Sequence, residues 1–465
     1  MHPSLEKLPS EWPVDLLPLI QARLGELGRS MVVLDDDPTG TQTVYDIPVL
    51  TEWSIESLRA ELARATPLFY ILTNSRSLAL PAAQALNQEI GQNICLAAEQ
   101  IGRPVAVVSR SDSTLRGHYP GETDALMAAL GGTFDATLII PFFLEGGRYT
   151  LDNVHYVAEG DTLVPAAETP FARDAAFGYQ HSNLCEWVEE KTAGRVRADQ
   201  VATISLTDLR AGGPEAVTSK LNALNNAAIC IVNCVSLRDM QVFVLGLLAA
   251  EAQGKRFLYR TAASFVQICA GLPTRPLLTA AAMGLPAQGG GLIVVGSYVP
   301  KSSEQLAELL KLPHLAHVEM NVEALLDDTR QPAELKRVAQ AVNHALAHNE
   351  DVVFHTSRTL VAGQDATTSL AIGQRVSASV VAVVQALHHR PRYLLAKGGV
   401  TSSDVATKGL GIRRATVLGQ ILPGVPVWQA GAESRYPGLA YIVFPGNVGG
   451  EDALRTVVTT LAIKQ

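Results

Sequence analysis

Short apolar runs recur along this chain, each closing on polar residues and most followed by a stretch with helical spacing. In the first half the runs are residues 31–34, 68–72, 105–109, 137–140, 228–232 and 256–259. In the second they are 292–295, 352–355, 393–396 and 440–444. Such a run reads as a buried β-strand. Between them the spacing predicts helices over 81–99 and 122–130, then over 303–311, 334–348 and 369–388. A last helix aligns Leu454, Val457, Val458 and Leu461. Pro81 suits a first helical turn, Ser302 and Gln305 fit a capping box, and Thr401 or Ser402 would cap the helix after the 393–396 strand. Strand–helix alternation implies mostly parallel sheets covered on both faces. The segment 272–291 carries three prolines and ends in three glycines, so it reads as an interdomain linker. The expectation is two α/β domains, residues 1–275 and 290–465, with the active site in the cleft between them. Only residues 142–197 break the pattern and read as irregular.

Composition narrows the function. The chain of 465 residues is 47% hydrophobic and 18% charged, which suits a soluble globular protein. No uninterrupted apolar run approaches a membrane span, and the first residues lack the basic and apolar regions of a signal peptide. A net charge of −8 leaves no electrostatic footprint for nucleic acid. Five cysteines, none in a C-x-x-C pair, read as reduced core residues of a cytoplasmic protein. Cys230 and Cys234 lack the histidine spacing of a zinc site, and no metal-ligating set is expected from protein side chains.

The residues just beyond each strand carry the chemistry. After 31–34 come Asp35, Asp36, Asp37 and Thr39, with Pro38 stopping the strand and Gly40 turning the chain. After 68–72 come Asn74, Ser75 and Arg76. After 105–109 come Arg110, Asp112, Ser113, Thr114 and Arg116. After 137–140 comes Arg148. Parallel strands bring their ends to one edge, where open α/β sheets bind ligands. Adjacent carboxylates repel, so a purely structural role is costly, although a solvated turn has the same composition. Arginine forks bind carboxylates through paired charge-assisted hydrogen bonds, so the ligand inferred is a small, hydroxyl-rich acid. For any one arginine, neutralising the aspartates is an adequate explanation; for three after successive strands it is less so. Asp174 and His181 lie in the irregular stretch, where a lone histidine is more often structural.

In the second half Gly296–Ser297, Gly398–Gly399 and the run Gly446, Asn447, Val448, Gly449 each join a strand to a helix. Such a junction accepts phosphate through free N–H groups and close backbone approach. One turn is weak evidence, and three together favour a nucleotide site. There is no G-x-x-x-x-G-K-[ST] and no G-x-G-x-x-G.

These residues resemble the four-carbon acid sugar kinase family over nearly the whole chain. The resemblance rests on D-D-x-T-G (Asp36, Asp37, Thr39, Gly40), S-R (Ser75, Arg76) and D-S-T-L-R-G from Asp112 to Gly117. It continues in G-S (Gly296, Ser297), G-G-x-T-S from Gly398 to Ser402 and G-N-x-G from Gly446 to Gly449. It implies an N-terminal domain that holds threonate, erythronate or 3-oxo-tetronate and a C-terminal domain that holds ATP with Mg²⁺. It places ATP contacts at Ser297, Gly399, Gly446, Asn447, Val448 and Gly449, with Gly398 beside them. Val400 stands where the family has an acidic residue, Arg110 replaces a lysine, Asp35 adds a carboxylate, and 142–197 is longer.

The expected mechanism has Asp37, or its neighbour Asp36, take the proton of the attacked hydroxyl. Arg76 and Arg116 would hold the acid, Mg²⁺ would bridge the ATP phosphates, and domain closure would exclude water. The expected partners are a small sugar acid and, in a homo-oligomer, copies of this chain. Two rivals remain. A haloacid-dehalogenase-like phosphatase would use D-x-D-x-T with Asp35 as nucleophile and Asp37 as acid/base. A non-enzymatic sugar-acid sensor would use the first cleft alone.

Overall fold

The structure is a computed structural model that describes residues 8–297, 299–358, 366–446 and 448–463, with the side chains of 366–370 also left aside. The chain divides into two compact units. The first holds the residues up to Val44 and Glu52–Thr274; the second holds Tyr45–Thr51 and the residues from Arg275 onward.

The sheet of the first unit runs in the order Leu68–Leu72, Ser30–Asp35, Val105–Arg110, Phe257–Thr261, Ala136–Ile140, Ala228–Val232, Ala202–Ile204. Every neighbouring pair in it is parallel. The first three strands are buried at nearly every position, as their unbroken apolar runs require. Helix Leu80–Ile101 starts with a proline in its first turn and stops at Gly102, whose φ of 69° is left-handed.

In the second unit Ala316–Met320, Val352–Thr356, Leu292–Val295, Leu394–Lys397 and Ala440–Phe444 are parallel neighbours in that order. An antiparallel pair, Val425–Ala430 and Arg414–Leu422, extends the sheet. Ile293, Val295, Leu395, Ile442 and Phe444 form one core with Leu306 and Leu309 of helix Pro300–Leu309 and with Leu454, Val457 and Leu461 of helix Ala453–Leu461.

Four features differ from the sequence reading. Residues 45–51 lie with the second unit, because Pro48–Leu50 pairs antiparallel with Arg414–Leu422. The expected linker is packed from Arg275 onward: Leu278 and Met283 join the second unit's core, and the Leu278 N–H donates to Gln420 O at 2.7 Å. The segment 142–197 contains a three-stranded antiparallel sheet, Arg148–Leu151, Val154–Glu159 and Thr162–Pro165. Its first turn, Asp152–Asn153, has φ of 50° and 65°, the type I′ signature that was present in the D-N dipeptide. The hairpin 414–430, turned at Pro423 and Gly424, is a further element that the apolar runs did not predict.

Glycine 291 tests the packing of the former linker. A Cβ there would lie 2.1 Å from the ring of fully buried Tyr393, so Gly291→Ala must displace that ring. The expected cost is about 1–3 kcal/mol by urea unfolding. Gly25→Ala, in helix Leu17–Leu27 with nothing within 4 Å, should be neutral or stabilise by up to about 1 kcal/mol. Equal midpoints for the two variants would show that 291 is not packed.

Candidate active site

In the first unit the chain leaves Ser30–Asp35 for Leu68–Leu72 on one side and then crosses to Val105–Arg110 on the other. That reversal opens a crevice at the carboxyl ends of the strands. The register puts Asp35 beside both Leu72 and Arg110, and Arg110 beside Thr261. The polar residues that follow these strands therefore share one edge.

The three aspartates divide between different partners. Asp35 is buried; its Oδ1 accepts from Arg110 Nη1 at 3.1 Å, while Oδ2 has no partner. A Cβ on Gly40 would lie 1.8 Å from that oxygen, so glycine there is what admits the carboxylate. Burial pushes Asp35 up to about 7 against the pull of Arg110. Asp36 is also buried; its Oδ2 accepts from Ser111 Oγ at 2.5 Å, its Oδ1 accepts no hydrogen bond, and burial raises its pKa. Asp37 accepts from the Thr39 N–H at 2.8 Å, from Thr39 Oγ1 at 2.5 Å and from Arg76 Nη2. Burial works against its charge, yet Arg76 and Thr39 outweigh it and hold Asp37 below the ordinary carboxylate value.

Arg76 is the hub. Beyond Asp37, its Nη1 lies 3.9 Å from Asp36 Oδ1 and 3.6 Å from Asp112 Oδ1. Asp112 also accepts from Arg116 Nε at 2.7 Å and from Thr114 Oγ1, and these cations depress it despite its burial. Asn74 sits at φ 52° and gives the edge a backbone N–H, 3.4 Å from Asp35 O. Arg260, which the sequence reading missed, donates to Ser109 Oγ at 2.8 Å, Ser111 Oγ at 2.7 Å and Glu122 Oε2 at 3.1 Å. Gly117, at φ 136°, leaves room for this cluster: a Cβ would lie 2.6 Å from Ser111 Oγ and 2.7 Å from Arg260 Nη2. The signal for Arg260 was a lone cation closing an apolar strand.

The irregular segment supplies the remaining groups. The guanidinium carbons of Arg116 and Arg148 lie 5.1 and 5.6 Å from the centre of the Phe171 ring. Asp174 lies 3.8 Å from Arg116. Among the described residues no carboxylate stands within 4.0 Å of Arg148, whose buried Nε is unpartnered and whose pKa burial lowers. His155 is buried, and burial brings it down to about 4. The neutral ring donates from Nε2 to Ser113 O at 2.7 Å and so holds the D-S-T-L-R-G loop. His181 instead pairs with Glu186 at 3.2 Å on the surface.

In the second unit the chain also reverses, and Gly296–Ser297 and Gly398–Gly399 follow neighbouring strands at that point. Gly398, at φ 111°, would place a Cβ 2.9 Å from Ser297 Cβ, and Gly449, at φ 83°, one 2.4 Å from Ala453 Cβ. At Gly446 a Cβ would meet nothing nearer than 3.8 Å, so the protein's own packing does not demand glycine there. Val448 is half-buried, and Asn447 lies outside the described residues. The expected caps are absent. The helix begins at Pro300, so Ser302 and Gln305 fall inside it, and Gln305 Nε2 donates to Val448 O at 3.0 Å and Gly450 O at 2.7 Å. Likewise the helix after the Leu394–Lys397 strand begins at Gly399, and Ser402 Oγ donates back to Gly398 O at 2.5 Å. Two buried or half-buried cations on this edge, Lys397 and Arg358, were not singled out from sequence.

Comparison with known proteins finds matches in both halves of the chain. Residues 31–269 match the family model of a sugar-binding N-terminal domain, and residues 292–454 that of a nucleotide-binding C-terminal domain. A 3-oxo-tetronate kinase of Brucella melitensis biotype 1 is 29% identical over 360 residues, covering 74% of each chain. A D-erythronate kinase of Heliobacterium modesticaldum is 26% identical over 387 residues, 78% of this chain and 81% of that one. Crystal structures from Salmonella typhimurium LT2 and Haemophilus influenzae share the fold. Their TM-scores are 0.67 and 0.61 at 19% and 18% identity, over 92% and 93% of this chain and 98% and 100% of theirs.

The hub position of Arg76 sets a stability test. Arg76→Met leaves Asp36, Asp37 and Asp112 without their shared cation, and should cost about 3–5 kcal/mol at pH 7. Asp37 and Asp112 have native pKa values below their unfolded ones. Their contribution is therefore complete above the unfolded value, about 4, and is lost as pH falls through the native values. The gap between wild type and variant in urea unfolding should narrow below about pH 4. A gap that stays constant down to pH 3 would remove Arg76 from the hub.

Proposed function

The chain belongs to the family built from a sugar-binding N-terminal domain and a nucleotide-binding C-terminal domain, and we propose that it is an ATP-dependent sugar-acid kinase. The proposed acceptor is a hydroxyl of a four-carbon acid such as threonate, erythronate or 3-oxo-tetronate. The curated relatives named 3-oxo-tetronate kinase and D-erythronate kinase support that class. The observation that carries the reading is the unequal pairing of the N-terminal charges. Arg76, Arg110, Arg116 and Arg260 each have a carboxylate of the protein, whereas Arg148 has none within ion-pair distance among the described residues. An incoming carboxylate would complete Arg148, with Phe171 beneath it and Arg116 beside it.

Phosphoryl transfer requires positioning and charge neutralisation more than covalent chemistry. Asp36 is the better base on this geometry. Its Oδ1 accepts no hydrogen bond, with Arg76 Nη1 at 3.9 Å, and its pKa is raised, whereas both oxygens of Asp37 accept hydrogen bonds and its pKa is depressed. Asp37 then orients Arg76. Among the described residues no group of three or more His, Cys, Asp or Glu is arranged to hold a metal ion, so Mg²⁺ would arrive on the ATP phosphates. Asp35 is a poor phosphatase nucleophile, being buried, paired with Arg110 and packed against Gly40. A sensor would leave the second unit's glycine turns without a role. No described helix is long and apolar enough to cross a membrane.

The direct test is ADP release from ATP in a screen of four-carbon sugar acids. With an active acid in hand, Asp36→Asn should lower kcat by about 10²–10⁴. Asp35→Asn should retain far more activity, and a dead Asp35→Asn with a trapped aspartyl-phosphate in wild type would favour the phosphatase.

Arg148→Met should raise the KM for the acid by about 2–5 kcal/mol in free-energy terms and leave the KM for ATP near wild type. An unchanged acid KM would send the carboxylate elsewhere.

A further inference from the structure

On the edge of the second unit that carries the glycine turns, the two strand-end cations Lys397 and Arg358 lack a carboxylate within ion-pair distance among the described residues. Lys397 closes the Leu394–Lys397 strand with its side chain fully buried. Its Nζ donates to Pro445 O at 2.9 Å and Gly446 O at 3.2 Å, and lies 4.3 Å from the centre of the Phe444 ring. Arg358 follows the Val352–Thr356 strand. Its Nη2 donates to Ser297 O at 2.5 Å, while its buried Nε and Nη1 have no partner.

The register aligns Val295 with His355 on one side and Lys397 on the other, so the two cations flank the Gly296–Ser297 turn. Ser302 Oγ links them, 3.2 Å from Ser297 Oγ and 3.4 Å from Gly446 O. The other charges nearby leave both uncompensated. Lys301, on the helix over Lys397, is itself a cation, and together with burial it brings Lys397 down to about 7. Asp404 is taken by Lys408 at 2.7 Å, and Tyr441 donates to Ser402 O at 2.5 Å. Glu319 attracts Arg358 without an ion pair, and burial still lowers the guanidinium's pKa. His355 beside it donates from Nδ1 to Thr356 O at 2.9 Å and faces His317. A buried cation that meets only carbonyls and an aromatic face is costly until an anion arrives.

We propose that Arg358 and Lys397 are the polyphosphate anchors of this unit. Arg358 donates its free Nε–H and Nη1–H to phosphate oxygens. Lys397 is a positioning residue that holds the Gly446 turn from behind and supplies the opposing charge. Polyphosphate binding therefore draws a proton from solvent onto the Lys397 amine. This rests on the nucleotide reading and names the residues that carry it.

Calorimetric titration of the full chain with ADP, in buffers of low and high ionisation enthalpy at pH 7.5, separates the two. Wild type should take up protons on binding, and comparison with Lys397→Met or Lys397→Arg, whichever keeps the wild-type circular dichroism spectrum, cancels the nucleotide's own proton. The variant should take up fewer, and Arg358→Gln should bind ADP at least tenfold more weakly. An unchanged Kd in Arg358→Gln, or equal proton counts in the Lys397 variant and wild type, overturns the anchor assignment and leaves the nucleotide reading standing. Absence of ADP binding by wild type overturns both. Should neither Lys397 variant fold, the Arg358→Gln affinity alone decides.

Discussion

The N-terminal edge depends on how one guanidinium, Arg76, is shared among three carboxylates. Strand ends converge there, and convergence alone would stack Asp36, Asp37 and Asp112 into mutual repulsion. Arg76 lies within 4 Å of all three. Other arginines take the rest: Arg110 meets Asp35, Arg116 meets Asp112 and Arg260 meets Glu122. Because the partners differ, the carboxylates differ in basicity. Asp37 and Asp112 are held charged, while Asp35 and Asp36 are raised by burial that their arginines only partly offset. Such a division suits the proposed roles of binding an acid and deprotonating a hydroxyl.

The C-terminal edge is built on the opposite imbalance. Its loops carry no carboxylate close to Lys397 or Arg358 among the described residues, and the turns around them are held by neutral groups. Gln305 ties the 448–450 turn, Ser402 ties Gly398, and the close approach of Gly398 to Ser297 requires glycine. Serine and glutamine hold backbone without adding charge, so the field of the cations is left to whatever anion binds.

Several elements escaped the sequence for identifiable reasons. The insert combines a three-stranded sheet that begins at Arg148 with a short helical turn, Pro170–Arg173, that carries Phe171, and strands of four to six residues give weak periodicity. The Ser302 and Gln305 pair has capping-box spacing, but Pro300 can open a helix earlier, and the longer helix buries both residues against the turn they support. The glycines at 289–291 looked like linker residues because composition cannot tell a flexible glycine from one pressed against Tyr393.

The amino-acid sequence by itself determined the parallel α/β architecture, the strand ends at which function gathers and the glycine turns of the second half. Each is written in local pattern: apolar runs, helical spacing, and the polar residues next in line. Tertiary structure alone decided which charges cancel. That Arg76 neutralises Asp36, Asp37 and Asp112 while Arg148 neutralises nothing nearby depends on register across strands distant in sequence, on Gly40 and Gly117 opening space, and on a hairpin insert. Electrostatic pairing falls off with distance through space and takes no account of separation along the chain. The polar residues next to each strand were therefore legible one by one, whereas Arg260, Lys397 and Arg358, and the pairing among all these charges, were not.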